Sequence, residues 1–460
     1  MVGAGALLLS AVLLWGCDSA DGTLPPPQAP PAAAPIAAGP VPAGEELIRE
    51  LGCGACHAGL PARGQAAAPG LDDVGQRYTP GQLFAYLQNP QPARSGSARA
   101  RMPDFHLDER ESLALTLYLT DGRGRRAGRG EGDAERAFEQ AQRQHRESDA
   151  ELGRAIFRSQ NCAGCHVRSG EDAWAAGPLL SGEGSRAEPE WLREFLRNPT
   201  PVRPFGFQPG TGSRMPDFRL SAEEVDTLGA YLMRQTQPLA AGTQPPRELS
   251  PFARAKAEAL LREQLPCLGC HAIDGEGGRI GPDLARVRER RQPAYIEAML
   301  RDPQATSPGT VMPPTPMPPE TFELILGYLL GREGATEPER LSLVENRIHF
   351  PQGRSNEELL YGRVCAACHG PQGGADGYNA RFLPTPPTVH ASAEYISLRP
   401  DDTMYDGIHS GGRILNRSPR MPAFGAMLGR EQIRGLVRHI RELCRCDGPR
   451  WARDGGEGRR

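Results

Sequence analysis

The sequence predicts an all-α protein made of four small domains in tandem, and three observations lead to this prediction. A Cys-x-x-Cys-His pentapeptide occurs four times at intervals of roughly 100 residues, which is the length of a small domain. Amphipathic helical patterns precede and follow each pentapeptide. Apolar residues make up only 38% of the chain and aromatic residues 6%. Such small cores need cofactors or covalent cross-links to be stable.

The amino terminus, "MVGAGALLLSAVLLWGC", predicts an export signal in residues 1–17. Its apolar run is shorter than the roughly 20 residues that span a bilayer. "LWGC" resembles the lipobox of bacterial lipoproteins, which predicts lipidation of Cys17; the alternatives are an ordinary cleaved signal and an incorrectly assigned start codon. Residues 18–43 are rich in Pro and Ala and predict an extended tether. We therefore expect an exported protein, lipid-anchored at the periplasmic face of a bacterial membrane.

Domain boundaries are predicted where charged or Pro-rich segments interrupt the helical patterns. The third linker is expected to pack between the last two domains. The net charge of −3 indicates no nucleic-acid partner. The predicted domains are residues 44–124, 149–236, 251–332 and 355–446, the linkers are 125–148, 237–250 and 333–354, and 447–460 form a disordered tail.

The repeated pentapeptide allows a redox dithiol, half of a zinc site or a covalent haem anchor. A zinc site needs closed tetrahedral ligand sets, and a thioredoxin-like dithiol needs a βαβ context; the sequence shows neither pattern. Cysteines at i and i+3 lie on one face of a helical turn, so both thiols can add to the vinyl groups of one haem. The predicted thioether cysteines are Cys53, Cys56, Cys162, Cys165, Cys267, Cys270, Cys365 and Cys368. The predicted iron ligands beside them are His57, His166, His271 and His369.

A Met-Pro dipeptide follows each pentapeptide and predicts the sixth iron ligand. An isolated Met is more often core filler, but four at matching places favour ligation, and a Met/His pair raises the reduction potential. The predicted ligands are Met102, Met215, Met312 and Met421.

Two of these assignments have competitors. Met317 competes with Met312 in the third domain. Tyr118, Tyr231 and Tyr328 lie at one offset from the first three predicted ligands, which favours Met312. In the fourth domain, His390 and His409 compete with Met421.

These motifs resemble class I c-type cytochromes, which are small all-helical His/Met electron carriers, over about residues 44–443. The resemblance implies four cytochrome c-like domains, each a few short helices around a covalently bound haem c. It also implies that a Pro carbonyl accepts a hydrogen bond from the haem His, a role that falls to Pro178, Pro282 and, with a shifted motif, Pro69.

The resemblance further implies that the first and last helices of a domain pack through a small residue and an aromatic ring. In the second domain these are Gly153 with Phe157 against Tyr231. The arginines that precede three of the methionines either neutralise haem propionates or are solvated. They are Arg101, Arg214 and Arg420.

The function implied is that of an electron carrier, not an enzyme, which passes single electrons between a membrane oxidoreductase and a terminal oxidase or a soluble cytochrome. Two alternatives remain: a haem subunit of a larger respiratory complex, and a peroxidase-like enzyme with one open haem. Cys444 and Cys446 are left without an assigned chemistry.

Overall fold

A computed structural model describes residues 41–60, 68–90, 102–120, 132–166, 168, 171–172, 174, 176–207, 210–240, 248–332, 342–344 and 355–453. The signal segment and most of the tether lie outside these residues, as do Cys17 and Arg101. The described residues are mostly helical, which confirms the predicted all-α class. Among them, no helix is long and apolar enough to cross a membrane.

For the description, the predicted domains are called the first to fourth repeats. The described residues up to 240 form the amino-terminal half, and those from 248 form the carboxy-terminal half. The helices of the amino-terminal half are α1 (Val41–Leu51), α2 (Val74–Arg77), α3 (Pro80–Gln88), α4 (Glu109–Thr120), α5 (Asp133–Gln144), α6 (Ala150–Ser159), α7 (Pro189–Arg197) and α8 (Ala222–Met233).

The carboxy-terminal half contains the remaining helices and one short antiparallel ribbon, β1 (Ala272–Ile273) with β2 (Glu276–Gly277). Its helices are α9 (Pro251–Glu263), α10 (Val287–Arg290), α11 (Pro293–Arg301), α12 (Pro303–Thr306), α13 (Pro319–Leu330), α14 (Asn356–Val364), α15 (Ala366–His369), α16 (Ala393–Ile396), α17 (Asp401–Ser410), α18 (Arg430–Cys444) and α19 (Arg450–Arg453). Helix α19 lies within the segment predicted to be a disordered tail.

Local sequence explains where many helices begin. Thr79 and Gln82 form a capping box at the start of α3, and Ser221 and Glu224 form one at the start of α8. Prolines occupy the first helical positions of α3, α7, α9, α11, α12 and α13. Proline suits this position because its missing N–H would have no intrahelical acceptor.

The two halves pair their helices differently. In the carboxy-terminal half, the helix before each pentapeptide packs on the closing helix of its own repeat: α9 on α13, and α14 on α18. In the amino-terminal half, α1 packs on α8, and α6 packs on α4. The first and second repeats therefore exchange their first helices.

Two predicted linkers are ordered parts of the fold. The first contains α5, whose Phe138 packs edge-on against Phe84 at 5.9 Å between ring centroids. The third was expected to pack between the third and fourth repeats, but its described part, 342–344, packs on the first. Leu343 is buried in a cluster with Leu115, and its N–H donates to Glu111.

Candidate haem sites

Each pentapeptide forms a tight helical turn that places its two thiols together. The first three begin 3₁₀ turns, at Cys53–Ala55, Cys162–Gly164 and Cys267–Gly269, and the fourth continues into α15. Side chains at i and i+3 eclipse one another in a 3₁₀ turn. The local geometry therefore has both cysteines of a motif facing one side, as two thioether bonds to a single haem require.

Burial makes these thiols poor nucleophiles. It raises the pKa of Cys53, Cys162, Cys270 and Cys365 to about 12, and that of Cys267 to about 11. Redox-active dithiols sit in electropositive surroundings that lower the thiol pKa. The raised values argue against a redox dithiol and agree with cysteines that end as neutral thioethers.

The ring of each motif histidine is oriented by one backbone carbonyl, to which Nδ1–H donates. The distances are 2.8 Å from His57 to Pro178, 2.9 Å from His166 to Pro69, 2.8 Å from His271 to Pro282 and 2.8 Å from His369 to Thr388. Burial lowers the pKa of all four histidines. A neutral ring that donates through Nδ1 leaves Nε2 as the metal-binding nitrogen.

These hydrogen bonds confirm one expectation and correct two. Pro282 serves the histidine of its own repeat, as expected. The Pro178 carbonyl accepts from His57 of the first repeat, and the Pro69 carbonyl accepts from His166 of the second. Both hydrogen bonds therefore join one repeat to the other. Thr388 was not foreseen, because any residue can supply a carbonyl and the fourth repeat lacks the Gly-Pro-x-Leu turn.

The expected contact of Gly153 and Phe157 with Tyr231 is wrong, because α6 packs on the closing helix of the first repeat, α4, and not on that of its own repeat. Phe157 packs edge-on against Tyr118 of the first repeat, at 5.7 Å between ring centroids. A methyl group at Gly153 would overlap the carbonyl oxygen of Ala114. Tyr231 instead covers Gly44, where an added Cβ would lie 2.6 Å from the Cβ of Tyr231.

A single cavity of about 1210 Å³ joins the two sites of the amino-terminal half. Apolar side chains from α3, α4, α7 and α8 form much of its wall. The predicted site residues in its lining are Cys53, Cys56, His57, Met102, Cys162, Cys165, His166 and Met215. This donor set, two thiol pairs with two histidines and two thioethers around an apolar space, fits two covalent haems.

In each half, one asparagine joins two pentapeptides. Asn161 donates from Nδ2 to the Ala55 carbonyl at 2.8 Å and accepts from the Trp174 N–H at 3.1 Å. Asn379 donates to the Gly269 carbonyl at 2.9 Å, and its Oδ1 accepts from the Arg279 N–H at 2.6 Å. Ala55 and Gly269 both precede the second cysteine of their motif. The four motifs therefore lie in two back-to-back pairs.

In the third repeat, Met317 packs in the core cluster around Leu261 and Ile325. Its place in the sequence matches that of Leu107 after Met102 and of Leu220 after Met215. Leu107 and Leu220 both lie in the apolar clusters of the amino-terminal half. Met317 therefore occupies a position that is a core leucine in the first and second repeats.

In the fourth repeat, His390 lies on the His369 side. Its ring stacks on the His369 ring at 3.9 Å between centroids, and Nδ1 makes a 2.9 Å hydrogen bond with the Tyr361 hydroxyl. His409 is exposed. Met421 packs in the same apolar cluster as Cys365.

Of the two described arginines that precede a predicted methionine ligand, neither is solvated. Arg214 forms a bidentate pair with Glu111 at 2.9 and 3.2 Å, and both side chains are buried. Arg420 is buried, and its Nη1 has no hydrogen-bond partner among the described residues. Arg203 and Arg291, which no sequence motif marks and which were therefore not predicted, line the large cavity. Burial, followed by the charge of Arg291, lowers the pKa of Arg203 to about 10.

Two further observations concern the remaining cysteines and other metal sites. Cys444 and Cys446 form a disulfide. Within the part of the chain that the structure describes, no group of three His, Cys, Asp or Glu side chains converges on a metal-binding position.

The comparison with known families matches three regions of the chain. Residues 41–122 and 150–236 match the cytochrome c family, and residues 355–440 match the family of subunit III of cbb3-type cytochrome c oxidase. The matched regions are cytochrome c domains, and such domains hold haem c covalently.

Among the curated proteins that are similar to parts of the chain, two are described here. Cytochrome c oxidase subunit 2 of Alkalihalophilus pseudofirmus is 32% identical over 129 residues, which is 26% of this chain and 35% of that protein. A nitric oxide reductase subunit from Stutzerimonas stutzeri is 34% identical over 80 residues, or 17% of this chain and 53% of that protein. The chain thus spans about a third and about half of their lengths. No solved structure matches the chain.

Proposed function

We propose, on the premise that the chain is a multidomain c-type cytochrome, that it carries four haem c groups and passes single electrons between redox partners. The observation that carries the proposal is the common geometry of the four pentapeptides. Each has two partly buried cysteines on one turn and a histidine whose Nδ1–H donates to a backbone carbonyl. Haem supplies one-electron chemistry at such a site.

The proposed sixth ligands are Met102, Met215, Met312 and Met421. For the third repeat, Met312 is supported by register, because α13 begins at the same offset from it as α4 from Met102 and α8 from Met215. Met317 then fills the core position that leucine fills in the first two repeats. For the fourth repeat, Met421 is supported by the places of the two competing histidines. The ring of His390 stacks on the ring of His369, the proposed ligand from the pentapeptide, and His409 is exposed.

The buried arginines support haem binding from another side. Arg203 and Arg291 line the large cavity, and Glu183 is the one carboxylate that pairs with Arg291, at 2.5 Å, among the described residues. Haem propionates are carboxylates, and the planar guanidinium suits them well. We assign these two arginines, with Arg420 in the other half, to propionates.

A carrier fits this chain better than an enzyme. When a Met and a His both bind an iron, no coordination position is left for a substrate. The chain's own work is then to fix each iron ligand, exclude water and hold neighbouring motifs close, because electron tunnelling slows steeply with distance.

The partners and location are proposed from two sources. The two curated relatives described above are named as subunits of a cytochrome c oxidase and of a nitric oxide reductase. We propose a membrane oxidoreductase as one redox partner and a terminal oxidase or soluble cytochrome as the other. A lipid on Cys17 would hold the protein at the periplasmic face of the membrane.

Carbon monoxide distinguishes the carrier from the enzyme. Added to the reduced full-length protein, it should bind slowly and to less than one haem per chain, because every iron already has two protein ligands. Rapid binding of one equivalent would contradict the carrier and favour a peroxidase-like site. Cyanide added to the oxidised protein provides the matching control in the other redox state.

The second candidate is a subunit of a larger respiratory complex, which the names of the two relatives favour. Purification from membranes in mild detergent separates the two functions. A free-standing carrier elutes alone, whereas a subunit elutes with an oxidase or reductase in constant ratio.

A further inference from the structure

We infer that the two haems of the amino-terminal half exchange their sixth ligands: the iron held by His57 takes Met215, and the iron held by His166 takes Met102. This inference rests on the proposed function, since it assumes that methionine is the sixth ligand. It departs from the reading in which each repeat is a self-contained haem site.

The orientation of the histidines gives the first argument. In the third repeat, which serves as the internal reference, His271 donates to Pro282 of its own repeat. In the amino-terminal half, His57 donates to the Pro178 carbonyl and His166 to the Pro69 carbonyl, so each histidine is oriented by a carbonyl of the other repeat. The Cys56 carbonyl likewise accepts from the Gly177 N–H at 3.0 Å.

Helix packing gives the second argument. In the described residues of the amino-terminal half, a glycine on a first helix lies close against a closing helix twice, and both times across the repeats. Gly44 on α1 lies under Tyr231 of α8, and Gly153 on α6 lies against Ala114 and Tyr118 of α4. A haem bound by the motif after α1 would therefore lie next to the loop before α8, which contains Met215. A haem bound by the motif after α6 would lie next to the loop before α4, which contains Met102.

The apolar surroundings of the methionines give the third argument. Met215 packs in the cluster that contains Cys53, and Met102 packs in the cluster that contains Cys162. A small pocket lined by Cys53 and His57 has Met215 in its wall and not Met102. In the exchanged pairing, each methionine therefore lies in the same apolar cluster as a cysteine of the motif whose iron it is inferred to bind. In the pairing within each repeat, it does not.

The two methionine loops are also joined to each other. Asp104 and Asp217 occupy the same position in the two copies of "RMPDF" and exchange both backbone hydrogen bonds, at 2.8 and 2.7 Å. Equivalent residues that contact one another in this way are the mark of a two-fold arrangement. Exchange of equivalent elements between two copies is domain swapping, here within one chain, where tethering makes the effective concentration high.

The test uses the full-length protein without its first haem. In the background Cys53→Ser/Cys56→Ser, the mass of the chain should show three haems, and the Met-to-iron charge-transfer band of the oxidised protein should have the intensity of three Met-ligated haems. Adding Met102→His should lower that intensity by one third and give one bis-histidine haem. Adding Met215→His should leave the intensity unchanged.

The reciprocal background, Cys162→Ser/Cys165→Ser, guards against a variant that folds poorly. There Met215→His should lower the intensity of the charge-transfer band by one third, and Met102→His should not. The opposite dependence in either background, a loss with both substitutions or a loss with neither, overturns the exchanged pairing. A chain without haem, or without any charge-transfer band before the Met substitutions, would instead contradict the proposed function.

Discussion

The two halves of the molecule use the same local parts but connect them differently. In the carboxy-terminal half, α9 packs on α13 and α14 on α18, and the histidine of each repeat finds a carbonyl nearby in the sequence. In the amino-terminal half, the same contacts run across the repeats. Pro69 follows His57 at nearly the spacing at which Pro282 follows His271. Local spacing thus defines the module, and contacts between repeats decide which copies combine.

One feature common to both halves is the asparagine that joins two pentapeptides. Asn161 directly precedes its motif in the sequence, whereas Asn379 lies well after its own. Both nevertheless donate to the carbonyl before the second cysteine of the neighbouring motif. Close pairs of motifs are therefore shared by both halves, whereas exchange of helices is confined to the amino-terminal half.

The largest effect is expected from two variants, each of which removes one haem from one half of the molecule. In Cys53→Ser/Cys56→Ser, exchange predicts that residues 176–207 and 210–236 lose protection from protease together with α1, because these elements would surround the missing haem. Residues 68–90 and 102–120 should stay protected. In Cys365→Ser/Cys368→Ser, cleavage should stay within the fourth repeat. Limited proteolysis with mass mapping checks this prediction, and cleavage within 68–90 or 102–120 in the first variant would contradict the exchange of elements between the first two repeats.

The next largest effect is expected at the buried ion pair that joins the first two repeats. Arg214→Leu leaves the Glu111 carboxylate buried without its guanidinium, so we expect a loss of about 3–5 kcal/mol in the free energy of unfolding. Arg197→Leu is the matched control, because the Arg197–Glu194 pair is largely exposed and contributes about 1 kcal/mol or less. Denaturant titration measures both. Equal losses would show that the Arg214 pair does not hold the repeats together.

A smaller effect is expected at the crossing of α4 and α6. Gly153→Ala places a methyl group against the Ala114 carbonyl, a backbone atom that cannot move aside easily, and should cost about 1–3 kcal/mol. Gly229→Ala is the control within α8, where the nearest atom outside that helix lies 3.9 Å from the added methyl group. It should be neutral or stabilising by about 0.5–1 kcal/mol, the usual gain for Ala over Gly in a helix. Thermal unfolding that ranks the two variants the other way would contradict the close crossing.

The smallest effects should come from the asparagines. Asn161→Ala and Asn379→Ala each remove a donor and an acceptor between paired motifs, and we expect losses of about 1–2 kcal/mol in each case. Similar losses would support equivalent motif pairs in the two halves. A loss in only one of them, seen in denaturant titration, would limit the paired arrangement to that half.

Much of the module was predictable from the sequence. The pentapeptides predicted the turns, because Cys at i and i+3 followed by His needs only local geometry. The Pro282 carbonyl beside His271 followed from the Gly-Pro-x-Leu pattern. Helix starts at Thr79 and Ser221 carry capping residues that a sequence shows directly.

The exchange was not predictable in this way. Two repeats with the same spacing have the same local preferences, so nothing in either one selects its own Pro turn over the other's. The buried pair of Glu111 and Arg214 and the contact of Leu343 with the first repeat join residues far apart in the chain, and no periodic pattern marks them. Thr388 could not be foreseen because a backbone carbonyl carries no residue signature.

The most direct test of the central claim, that this chain carries four covalent haem c groups on four pentapeptides, is the intact mass of the purified protein. We predict the mass of the processed chain plus four haems, decreasing by one haem for each pentapeptide whose cysteines are replaced by serine. A mass with fewer than four haems, or one unchanged by replacing a cysteine pair, would contradict the claim.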